Sequence, residues 1–110
     1  PEGNDQAAWQ AGITARAKKA EAKVAMANGE FEKADAALVV AQENEDLQTR
    51  ISRKLELGAG GYDVHSADLM VSTEQQLRET EREAKAQAYR VAEERRIKEK
   101  ELANEERGLK

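Results

Sequence analysis

The chain has 110 residues, of which 36% are charged and only 4% aromatic, and much of its 39% hydrophobic share is alanine. That is material for one domain without a bulky globular core. The net charge of -4, from 18 basic and 22 acidic residues, is mixed along the chain, so no basic stripe follows a phosphate backbone and nucleic acid is not an expected partner.

Residues 1–4 read as a frayed start, with Asn4 or Asp5 capping the first helix. A chain that begins at proline reads as a segment of a longer protein. From there Ile13, Ala17, Ala20, Val24, Ala27, Phe31, Ala34, Leu38 and Ala41 recur at spacings of three and four. This predicts a heptad seam of mostly small residues that lets a neighbouring helix come close. After Ala41 the phase slips to Leu47, Ile51 and Leu55, and residues 42–46 between them are polar all round, which predicts a weakly packed stretch. Asn28-Gly29 is a turn dipeptide. The seam keeps its phase across it, from Val24 to Ala34, which favours one continuous helix.

Three of the seven glycines, Gly58, Gly60 and Gly61, fall within four residues near the midpoint of the chain. They predict an elbow. Asp63 or Ser66 then caps a second arm, whose seam is Met70, Thr73, Leu77, Thr80, Ala84, Ala88 and Val91. Beyond Val91 the pattern degrades, because Arg95 and Lys98 take seam positions. Gly108 ends the arm. Helix formers such as Ala, Glu, Lys, Arg, Gln and Leu fill both arms.

The expected fold is therefore all-α, a long antiparallel two-helix coiled-coil hairpin. Its helices cover about 5–57 and 66–107, with a tip at 58–65. The alternative is a three-helix bundle broken at Asn28-Gly29. No apolar run approaches the ~20 residues of a membrane span, so direct membrane insertion by this segment is not expected. There is no cysteine, hence no disulfide or thiol chemistry.

Catalytic chemistry finds little to work with. His65 is the only histidine. Combining it with Ser66 and Asp68 in a hydrolytic triad fails, because neighbours at a helix start point in different directions and nothing supplies an oxyanion site. Glu43, Glu45 and Asp46 lack the glycine-centred loop of a calcium site. Gly58 to Gly61 lack the lysine and hydroxyl of a phosphate-binding loop and follow a helix, not a strand. Arg95, Arg96 and Lys98 are offset by interleaved glutamates. Trp9 and Tyr89 are lone aromatics expected at the seam or against an adjoining domain. The expectation is a chain that is not an enzyme and has no catalytic, metal or cofactor site.

The elbow remains. Gly60 and Gly61 allow close backbone approach, and Tyr62 and Val64 offer apolar contact. The stretch Arg50-Ile51-Ser52-Arg53-Lys54-Leu55-Glu56-Leu57-Gly58-Ala59, followed by Asp63-Val64 and an Ala-rich polar helix, resembles the α-helical hairpin of periplasmic adaptors. These are the membrane fusion proteins of tripartite efflux pumps and type I secretion systems. The likeness implies that Arg53 (or Arg50), Leu57 (or Leu55) and Gly58-Ala59 carry the tip motif. Gly61 stands where that family has a serine, and Ser66 lies further on. The pattern from Gly58 to Val64 is also similar to a hairpin bend in outer-membrane channel proteins.

The resemblance implies a partner-binding tip of Arg53, Leu57, Gly58, Ala59, Gly60, Gly61, Tyr62, Asp63, Val64 and Ser66. It implies a periplasmic location and hairpins that self-associate side by side. It also implies a bridging role between an inner-membrane transporter and an outer-membrane channel. The alternative function is a generic antiparallel coiled-coil interaction arm or spacer, such as a receptor-binding hairpin, cytoplasmic or secreted and with no transport role.

Overall fold

Helix-forming residues fill the chain between its glycine clusters, and the helices stop where those glycines stand. The computed structural model describes residues 2–108. Within them lie three helices and no strand: α1 (Glu2–Ala27), α2 (Phe31–Ala59) and α3 (Val64–Gly108). The fold is all-α, as the composition implies. The single helix expected over 5–57 is two helices, and the break falls at Asn28-Gly29, as the alternative had it. α1 also begins earlier than expected. Helix starts at Glu2, so Asn4 and Asp5 lie inside the first turn and not at its cap.

The break has a local cause. Gly29 takes φ +76, a left-handed conformation that glycine enters without steric cost. The Glu30 N–H then bonds the Ala25 carbonyl at 2.8 Å, and the Gly29 N–H bonds the Met26 carbonyl at 3.1 Å. This is a Schellman closure, which satisfies carbonyls left open at a helix end. It takes so few residues that an apparent seam phase survives across it. Phe31, the residue that seemed to carry the phase, is 65% exposed.

The chain divides into two units, one up to Gln75 and one from Gln76 onward, and α3 supplies residues to both. In the first unit α1 packs along α2. The two run antiparallel, since Lys19 pairs with Glu45 and Gly12 lies against Gln48. The buried seam of α1 is Ala11, Ala15, Ala22 and Ala25, and that of α2 is Ala34, Ala37 and Ala41. This corrects the expected phase. Ala34 and Ala41 are in the seam, whereas Ala17, Ala20, Val24, Ala27, Phe31 and Leu38 are exposed.

The reason is close approach. Alanine methyls let two backbones come nearer than valine or phenylalanine would. At Gly12 an added Cβ would stand 2.6 Å from the Gln48 side-chain nitrogen. Eight of the ten buried apolar residues are alanine. Each contributes a methyl worth about 0.8 kcal/mol on burial, so the seam stabilises the pair only modestly.

At the far end of α2, Leu57 packs with Ala67 and Val71 of α3, and Met70 covers the cluster. Ionic ties run beside it. Arg53 reaches Glu74 at 3.0 Å and Lys54 reaches Asp68 at 2.9 Å. Residues 42–46, expected to be weakly packed, are largely half-buried and hydrogen-bonded. The Asn44 amide donates to the Val40 carbonyl at 2.9 Å, and Asp46 accepts from Gln75 of α3 at 3.0 Å. A polar stretch packs well when its groups find partners.

The second unit is helix throughout its described length and contributes no buried residue. Of its expected seam, Leu77, Thr80, Ala84, Ala88 and Val91 are all exposed. No helix among the described residues is long and apolar enough to cross a membrane.

Candidate functional site

The turn between α2 and α3 is built by the same device as the first turn, with an added cap. The Tyr62 N–H bonds the Leu57 carbonyl and the Gly61 N–H bonds the Gly58 carbonyl, both at 3.1 Å. Gly61 takes φ +98. Together these form a second Schellman closure, which needs a left-handed residue at that position. The Gly60 N–H also bonds the Glu56 carbonyl at 2.9 Å.

Asp63 then starts α3. Its carboxylate accepts the Ser66 N–H at 2.7 Å, and its carbonyl accepts the Ala67 N–H at 2.9 Å. The bonds from Ser66 hold the Asp63 carboxyl below the usual aspartate range, because a hydrogen-bonded carboxylate is stabilised in its charged form. Of the two expected caps, Asp63 is the one that forms. The first turn lacks this feature, since Glu30 makes no side-chain cap bond.

The result is a short turn held at both ends, with its side chains facing outward. Tyr62 is 51% and Val64 78% exposed, and Gly58, Ala59, Gly60, Gly61 and Asp63 are exposed beside them. Three of the expected tip residues do other work. Leu57 is only 4% exposed and belongs to the core. Ser66 is half-buried and its N–H is engaged by Asp63. Arg53 is half-buried, bonded through Nε to both Glu74 oxygens at 3.0 and 3.2 Å and through a terminal nitrogen to Glu56 at 3.1 Å. These bonds, Glu74 first, push its pKa up and keep it charged. Arg53 thus ties α2 to α3 beneath the turn.

The residues tested for hydrolysis are similarly placed. Asp68 pairs with Lys54, Ser66 serves the cap, and His65 is exposed. Among the described residues no three metal-ligating side chains converge.

Sequence reasoning missed the Arg53–Glu74 and Asp46–Gln75 ties. Lys54–Asp68 had a signal, because the two lie nearly equal numbers of residues from the elbow with opposite charge. Asp46–Gln75 follows the same count but lacks the opposite charges that would mark it, whereas Arg53–Glu74 does not follow it and depends on how α2 and α3 are offset. Comparison with protein-family models, with curated proteins and with solved structures finds no match.

Proposed function

We propose that this chain is a structural interaction module that docks a partner protein through the α2–α3 turn. The observation that carries this reading is the turn itself. Its backbone is held by a Schellman closure and by Asp63, while Tyr62 and Val64 stand out from it. A surface fixed before binding loses less conformational freedom on docking. With the tip likeness described above, the reading becomes specific. The chain is the hairpin of a periplasmic adaptor and its partner is an outer-membrane channel, joined through the adaptor to an inner-membrane transporter. It performs no catalysis.

The test is transport in cells carrying the full-length protein with Tyr62→Asp or Val64→Asp. Neither substitution touches a buried group, and an acidic residue is well tolerated in the first turn of a helix. Helicity is expected to stay intact while transport is lost. Unchanged transport in both variants would remove the turn from the mechanism.

The break at Asn28-Gly29 favours a second reading. An adaptor hairpin of two long arms has no need of a fold-back in its first arm, whereas a small interaction arm accommodates one. The sequence flanking this segment separates the two. β-rich lipoyl-like segments on both sides support the adaptor, and helical or catalytic flanks support the interaction arm.

A further inference from the structure

A polar helix with no buried face gains nothing from tertiary packing, and packing is the main source of helix stability in proteins. The part of α3 from Gln76 onward comes close to that position, since among its described residues none is buried and only Arg78, Arg82 and Glu93 are half-buried. Its exposed side chains are nonetheless ordered. Leu77, Ala84, Ala88, Val91 and Leu102 lie on one stripe at heptad spacing, and all are exposed. Glu81, Arg95 and Lys98 fill the remaining positions of that stripe and are also exposed.

We propose that this stripe pairs antiparallel with the same stripe of a second copy of the chain, about an axis between Ala88 and Val91. In this register Leu77 faces the partner's Leu102 and Ala88 faces the partner's Val91. Glu81 faces the partner's Lys98. Ala84 faces the partner's Arg95, where the small residue leaves room for the arginine stem to lie along the seam with its charge at the edge. By symmetry each layer occurs twice. Every charge in the seam meets an opposite charge or a small residue.

The other arrangements are worse. A parallel pair sets Glu81, Arg95 and Lys98 each against its own copy, and like charges in a seam oppose association. Sliding the antiparallel pair by one heptad sets Leu77 against Arg95 in one direction. In the other it sets Glu81 against Glu105. Charge complementarity therefore selects both the orientation and the register. The charges also limit the affinity, so the pair is weak and depends on concentration. Nothing in this argument depends on docking through the α2–α3 turn.

The absence of cysteine makes the test direct. Full chains carrying Leu77→Cys or Leu102→Cys are oxidised separately and as a mixture, with circular dichroism to verify that helicity is kept. Disulfide-linked dimers are expected in the mixture, and neither variant alone is expected to give them. Sedimentation equilibrium supplies a second reading. Lys98→Glu should weaken dimerisation roughly tenfold, since two attractive layers become repulsive, and the double swap Glu81→Lys with Lys98→Glu should restore it. A chain that stays monomeric at millimolar concentration overturns the proposal. So do cross-links in either single variant to the same extent as in the mixture, or a double swap that rescues nothing.

Discussion

Gly29 and Gly61 are the residues on which the helix boundaries turn. Both hold left-handed φ values, and at both an added Cβ meets nothing within 4 Å. Strain alone therefore sets the cost of replacing them. Gly29→Ala and Gly61→Ala are each expected to lose about 1–2 kcal/mol. Gly58 sits inside α2 with equally open surroundings but no left-handed angle, so Gly58→Ala should gain about 0.5–1 kcal/mol. Urea titration followed by circular dichroism measures all three, and equal effects at the three sites would contradict this account. Asp63 adds a dependence on pH. Its folded pKa lies below the ordinary aspartate value, so its stabilising effect is present above that value and is lost as pH falls through the folded pKa. Thermal melts of the wild type should therefore lose stability below the normal aspartate range, and Asp63→Ala should be less sensitive there.

The α1–α2 pair shows what a periodic pattern leaves undecided. α1 carries two stripes two residues out of phase, one of Ile13, Ala20 and Val24 and one of Ala11, Ala15, Ala22 and Ala25. At ~100° per residue these lie on nearly opposite faces. Both satisfy heptad spacing, and hydrophobicity favours the first. The helices pack through the second because α2 offers a matching row of methyls and allows close approach. Overpacking that row with Ala22→Leu or Ala37→Leu is expected to cost about 1–3 kcal/mol. Val24→Ala and Phe31→Ala should stay within about 0.5 kcal/mol. The opposite ranking in denaturant melts would restore the first stripe as the seam. What was legible in the sequence was local: the all-α class, the elbow at Gly58 to Gly61 and the cap at Asp63. The break at Asn28-Gly29 was visible as a dipeptide, but a seam phase that runs across it by coincidence argued against it. The role of Arg53 was not legible, because its contact with Glu74 depends on the offset of α2 and α3.

For the whole molecule, the small alanine core implies limited stability. Within the proposed function, the ordered turn at Tyr62 and Val64 is the docking surface. In the pairing proposed above, the stripe from Leu77 to Leu102 serves self-association. The two should be separable, with variants of one expected to leave the other unchanged. The measurement that bears most directly on the central claim is amide hydrogen exchange of the full chain with and without the purified outer-membrane channel. The account predicts added protection confined to the turn and the first residues of α3, and its loss in Tyr62→Asp. Protection that falls elsewhere, or none at channel concentrations that support transport, contradicts it.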